Sequence, residues 1–316
     1  MKLIGCICGL VLSLTCTAEP VLPKPEEIPV YIRDDVYEDY LKFLNGRPVL
    51  SIVDFRGITM RRDVADMVLL QQALALGGFT KNFYYQPGKF NFRNTKMLES
   101  GDSLLSFDTY WLTDAKALAG KVFISEPVVR RGEYLAGIYT SPENLPVLRT
   151  RTLTELRKFS GVSTPKWRTD WETMQALGLK ELVQEDEWLS QARMVHMRWV
   201  DFMLMPFFHD EKGIYQLEQL RLKVVPGVAI LLNDSRHFVI SKSHPDGRFA
   251  NEALNKGLRI LRENGRIEQL YKQAGFMLPE NSVQILNLPA AKPKTKPALH
   301  STSAASTAPT TQGHER

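Results

Sequence analysis

Two short strings hold the residues best suited to chemistry, Asp108-Thr109-Tyr110-Trp111 and Thr164-Pro165-Lys166-Trp167-Arg168. Tyr110, Trp111 and Trp167 offer aromatic faces that could stack on a ring or a sugar, and Lys166 and Arg168 could pair with an anion. Thr164 followed by Pro165 fits a helix N-cap with proline at the first position, an arrangement that aims free N–H groups at a negative charge. Against this stands plain core packing for Trp111 and Trp167. Trp171, Trp188 and Trp199 are read as core residues, and Arg130 and Arg131 as a solvated face.

Catalytic constellations are thin. The six histidines show no HExxH spacing, and no GxSxG or glycine-rich phosphate loop occurs, so neither a zinc protease, a serine hydrolase nor a nucleotide-binding loop is indicated. His209-Asp210-Glu211 could ligate a metal but reads better as a solvated loop, and neither metal nor cofactor is expected. Cys6, Cys8 and Cys16 are the three cysteines, all within the first 18 residues. Those residues have the form of a secretory leader: Lys2, the apolar stretch Leu3 to Leu14, and a small-residue cleavage site at Cys16-Thr17-Ala18. The apolar run falls short of the roughly 20 residues a membrane-spanning helix needs. An uncleaved anchor and a lipid-modified Cys16 are the alternatives. Cleavage at Ala18 leaves no cysteine for a disulfide, a thiolate metal site or a nucleophile.

The elements that must position the candidate residues alternate between strand and helix patterns, which indicates an α/β architecture. Expected strands are Val49 to Phe55, Phe79 to Gln86, Ser103 to Thr109, Val122 to Ile124, Tyr134 to Tyr139, Ser160 to Ser163, Trp199 to Met205 and His237 to Ser241. Expected helices are Asp63 to Gly77, Asn94 to Ser100, Thr154 to Phe159, Thr169 to Leu177, Trp188 to Arg198, Arg248 to Asn264 and Ile267 to Ala274. Residues 19–30, with Pro20, Pro23, Pro25 and Pro29, read as an extended tether. Residues 289–316, rich in Ala, Pro, Ser, Thr and Lys, read as a disordered tail.

Charge sharpens this division. The 316 residues carry 40 Lys+Arg against 35 Asp+Glu, a formal +5. Lys2 lies in the leader and the tail holds Lys292, Lys294, Lys296 and Arg316 against Glu315, so the body between them retains only +1. A near-neutral exported body argues against nucleic acid as a partner.

The string FVISKSHPDGRFANEALNKGLRILRENGRIEQLYKQAGF, Phe238 to Phe276, resembles the closing segment of amino-acid-type periplasmic solute-binding proteins, extracellular solute-binding family 3. Met97 to Phe107 is similar to that family's helix-Gly-Asp-strand element. Val122 to Tyr139 is similar to its stretch before the first hinge crossing, and Leu156 to Ser163 to its entry into the second lobe. The match runs in order over residues 45 to 278. It implies a two-lobed type II periplasmic-binding-protein-like fold, each lobe a mixed sheet flanked by helices, with a hinged cleft between them. Lobe 1 is expected at 31–140 plus 239–286 and lobe 2 at 141–238. It also implies that the lobes of a monomer close on a small solute and that a membrane transporter permease or sensor protein reads the closed form. Ligands of such sheets gather at strand ends. Those ends would be Asp54 to Gly57, Asp108 to Trp111, Ser163 to Arg168 and Pro206 to His209.

Departures from the family pattern narrow the ligand. Its usual Thr-x-x-Arg element is Thr113-Asp114-Ala115-Lys116 here, and Lys116 lacks the planar fork that grips a carboxylate in two places. The carboxylate that holds the ligand amine has no counterpart between Asp201 and Phe208. An ordinary α-amino acid is therefore not the expected solute. The resemblance thus implies binding, without catalysis, of a small polar solute, anionic or aromatic, by Asp54, Arg56, Asp108, Tyr110, Trp111, Lys116, Thr164, Lys166, Trp167 and Arg168. Two other readings stay open: a structural or signalling derivative whose cleft no longer closes on a solute, and an exported enzyme using Glu126 or Glu133 as acid or base.

Overall fold

The computed structural model describes residues 27–288 apart from 58, 89–91, 208–212, 218 and 279–281. The chain opens with β1 (Glu27–Arg33), in which Ile28, Val30 and Ile32 alternate inward, and α1 (Asp34–Leu44), which buries Val36, Tyr40 and Phe43 at helical spacing. After α2 (Arg62–Gly77) the chain returns through β2 (Asn82–Gly88), which pairs parallel to β1. The short helix α3 (Phe92–Ser100) leads on to β3 (Tyr110–Trp111), α4 (Leu112–Ala117) and β4 (Val122–Val129).

Next come β5 (Leu135–Thr140), the short helices α5 (Leu145–Leu148) and α6 (Leu153–Leu156), β6 (Ser160–Ser163), α7 (Arg168–Leu177) and β7 (Glu181–Gln184). They are followed by α8 (Trp188–His196), β8 (Phe202–Met205), β9 (Ile214–Leu217), β10 (Leu220–Val224) and β11 (Val228–Leu231). The closing elements are β12 (Arg236–Ser241), α9 (Gly247–Glu263), α10 (Arg266–Gln273) and β13 (Gln284–Ile285).

Two sheet systems result. In the first lobe β12 lies between β3 and β4, antiparallel to both, and the β1–β2 pair stands beside it. The second lobe is built on a mixed sheet of order β13-β11-β5-β8-β6-β7, extended by the β9–β10 hairpin along β5. The two chain crossings between lobes lie side by side: β5 and β11 pair antiparallel through Ala136 with Ile230 and Leu135 with Leu231. A pair of hydrogen-bonded crossings is the geometry of a hinge.

The first lobe is built around α2, which is buried almost all round, from Val64 to Leu70 and again at Ala73 and Leu74. It crosses α9 at close range. A Cβ at Gly77 or Gly257 would coincide with the main chain of Ala253 or Ala73, so only glycine permits this approach.

Several sequence expectations need correction. Val49 to Phe55 is no strand: Val49–Ser51 forms one 3₁₀ turn, and Gln72 donates to the carbonyls of Val49 and Ile52, taking the role a neighbouring strand would have. Ser103 to Thr109 keeps only a single bridge, Leu105 to Ile240. There the Ser103 and Ser106 hydroxyls bond their own main chain and compete with the ladder. Glu27 to Val30, expected in the tether, belong to β1, with Pro29 tolerated in this two-stranded pair. Arg236 and His237 pair with β3 and β4, whereas β5 pairs with β8 and β13 with β11.

Candidate functional site

Charged side chains converge where the first turn of α2, the segment before β3, and β12 meet. Asp66 is fully buried and accepts from Arg62 Nη1 at 2.7 Å, Thr109 Oγ1 at 2.8 Å and the Tyr271 hydroxyl at 2.6 Å. Thr109 Oγ1 in turn accepts from Arg236 Nε at 2.8 Å and Arg62 Nη1 at 3.2 Å, so one hydroxyl joins two guanidiniums to one carboxylate. Arg236 also donates Nη2 to the Thr109 carbonyl and lies over the Trp111 ring, 4.5 Å from its centroid. Trp111 meets Tyr134 edge to face at 5.2 Å. Arg236, Trp111 and Tyr134 are all buried. Such a desolvated, fully paired network fixes its members in place.

The second lobe reaches this cluster through the first turn of α7. Arg168 Nε lies 3.5 Å from Asp114 Oδ1 on α4, an ion pair between lobes. Asp170 lies within the fields of Arg236 and Arg62. Burial pushes its carboxyl up to about 6, with Arg236 opposing. Asp108 also rises to about 6 through burial and the negative charge of Asp63, against the pull of Arg62. Burial works against the charge on Arg62, but Asp63, Asp66 and Asp108 hold it above the ordinary arginine range. Arg236 is lowered by burial and then by Arg62. Two carboxyls with raised proton affinity, Asp108 from the first lobe and Asp170 from the second, thus lie in the fields of Arg62 and Arg236.

The ten expected site residues divide among several places. Asp108, Tyr110 and Trp111 lie at or beside the cluster, with the Tyr110 hydroxyl 3.3 Å from Thr95 Oγ1. Lys116 is exposed on α4 and has no ion-pair partner among the described residues. Asp54 and Arg56 form a two-pronged exposed pair at 2.9 and 2.8 Å that draws Asp54 down to about 2. Between and beside them, Phe55 N donates to Gln273 and Val53 O accepts from Arg266, which places this pair on the α10 side. Thr164 is buried and donates to Asp186 at 2.6 Å, and Lys166 pairs with the same carboxylate at 3.0 Å. Thr164 is not a helix cap: its hydroxyl accepts from Lys166 N within a turn, and α7 starts four residues later with Trp167 at the N-cap position. Trp199 is not core either, being 72% exposed. His209-Asp210-Glu211 lies outside the described residues, and among those described no group of three or more His, Cys, Asp or Glu could hold a metal.

The residues missed from sequence are Arg62, Asp66, Tyr134, Asp170, Arg236 and Tyr271. Two signals were present: Arg62 and Asp66 at helical i, i+4 spacing, and an arginine at the head of an otherwise strand-forming RHFVIS.

No protein-family model matches the sequence, and no curated protein is similar to it. Solved structures are similar in fold. The BvgS periplasmic VFT2 domain of Bordetella pertussis gives a TM-score of 0.51 at 12% identity, covering 79% of this chain and 92% of that one. The probable amino-acid ABC transporter extracellular-binding protein of Bacillus subtilis gives 0.51 at 12% identity over 80% and 99%. The chain therefore has the two-lobed α/β fold of type II periplasmic binding proteins, as the sequence resemblance implied. Among the described residues, no helix is long and apolar enough to cross a membrane.

Proposed function

We propose that this protein is an exported solute receptor whose lobes close on a small polar solute and whose closed form is read by a membrane transporter or sensor. The observation that carries the proposal is the convergence of Arg62, Thr109, Trp111 and Arg236 of one lobe with Arg168 and Asp170 of the other, across a joint of two paired strands. A ligand that touches both lobes makes contacts in the closed state that the open state lacks, which is the thermodynamic condition for closure. Asp108, Tyr110, Trp111 and Lys116 form the first-lobe side of the binding surface, and Trp167 and Arg168 the second. Lys116, lacking an ion-pair partner, supplies the charge that an anionic group meets. Glu126 and Glu133 do not favour an enzyme: they lie near Arg259 and Arg262, at 3.8 and 4.0 Å, on the face between β4 and α9.

A thermal-shift screen of the exported protein against amino acids, opines, polyamines, sugars and organic anions tests the proposal. A solute held at 100 times its Kd adds about 2.7 kcal/mol of stability. The expected result is one class that stabilises the protein and fails to do so in both Trp111→Ala and Trp167→Ala. The second reading, a cleft held shut by its own side chains, is favoured by the Arg168–Asp114 pair and by Asp170 facing Arg236. It predicts no shift with any solute and a hydrodynamic radius that grows in Arg168→Ala.

A further inference from the structure

The C-terminal end of α8 leaves an aromatic residue exposed next to a non-glycine residue in the left-handed conformation. Met197 N donates to Arg193 O, Arg198 N to Val195 O and Trp199 N to Met194 O, the bond pattern of a Schellman turn. Its left-handed position, where glycine is usual, is taken by Arg198 at φ 61°. The following residue normally packs back on the helix, but here Trp199 is 72% exposed. Leu189, Arg193 and Met197, at i, i+4 and i+8, continue the ridge on the solvent side of α8, with Leu189 37% and Met197 56% exposed. Gln191, Ala192 and Val195 face inward.

At the C-terminal end of α8 the exposed charge is predominantly basic, whereas the acids Glu185, Asp186 and Glu187 lie at its other end, before Leu189. Arg193 and Arg198 lie on the ridge, and Arg221 lies on β10 beside it, where His196 Nδ1 meets the Arg221 main chain. None of the three guanidiniums makes an ion pair among the described residues. Glu143 accepts from the Ser141 hydroxyl and lies in the fields of His196 and Arg198 without forming an ion pair with either. An exposed indole and thioether ringed by unpaired arginines match the interfacial layer of an anionic bilayer, where indole sits at headgroup level and arginines meet phosphate.

We propose that the ridge Leu189, Arg193, Met197, Arg198 and Trp199 docks this lobe on the surface of an anionic phospholipid bilayer. The strained turn at Arg198 sets the indole outward. This docking is independent of any solute in the cleft.

Co-sedimentation of the exported protein with phosphatidylglycerol-containing vesicles, against pure phosphatidylcholine vesicles, tests it without reference to solute binding. Partition into the anionic vesicles is expected, falling about fivefold for each of Arg193→Gln and Arg198→Gln and about tenfold in Trp199→Ala. Arg198→Gly removes the charge while suiting the left-handed turn, so its loss of binding cannot come from unfolding. Quenching of tryptophan fluorescence by brominated lipid should disappear in Trp199→Phe. Equal partition into both vesicle types, unchanged binding in Trp199→Ala, or attachment only to membranes that contain a protein partner would overturn the proposal.

Discussion

Replacing Asp170 with asparagine should make the protein more stable at neutral pH, because this carboxylate is held charged in a place that resists charge. Burial raises its pKa from 3.8 to about 6 even though Arg236 and Arg62 attract the anion. Each tenfold change in proton affinity is worth about 1.4 kcal/mol, so keeping Asp170 ionised costs up to about 3 kcal/mol. The folded pKa lies above the unfolded one, so the native state binds the extra proton between about pH 4 and about pH 6. Stability from this group is therefore complete below about pH 4, is lost as pH rises through about 6, and is level above that. Asparagine keeps the shape and the acceptor oxygen without the charge. Urea denaturation across this range should show native protein and Asp170→Asn equal near about pH 4. The difference should then grow by about 1.4 kcal/mol per pH unit to a plateau of up to about 3 kcal/mol. A difference that does not change with pH, or a variant less stable at about pH 8, would refute the reasoning. It would mean that the two guanidiniums hold the carboxylate more strongly than burial repels it.

Asp66→Ala would leave Arg62 and the Tyr271 hydroxyl without their buried acceptor, and chemical denaturation should register a loss of about 3–5 kcal/mol. Gly257→Ala would push α9 off the Ala73 carbonyl of α2, with an expected loss of about 1–3 kcal/mol in the same assay. Arg198→Gly should gain about 1 kcal/mol by relieving the left-handed backbone, and a lower midpoint instead would show that the turn is not strained.

How much of this was legible in sequence depends on how local the determinants are. The helices α7, α8, α9 and α10 follow from amphipathic spacing and stop signals, and β12 from a short apolar run, Phe238 to Ile240, that needs only a neighbour on each side. Val49 to Phe55 misled because its β-forming residues are met by the Gln72 side chain, a partner 20 or more positions away that no window contains. The α1 segment, rich in Asp and Tyr, hides Val36, Tyr40 and Phe43 among charged residues and so passed unread. At the site, Trp111 and Arg168 announce themselves by type. Asp66, Arg236 and Tyr271 are recognisable as one network only after folding brings positions more than 200 residues apart into hydrogen-bond range.

The last described strand ties residues 284–287 to the joint between the lobes. Gln284 N and Leu286 N donate to Gly227 O and Ala229 O, and the Asn287 side chain bonds both the N–H and the carbonyl of Leu231. A pull at Leu288 would therefore load the crossing strand β11 first, so tension there would be felt as torque on the hinge. The same stitching makes a dye at that position a gauge of hinge bending, whatever the cleft holds.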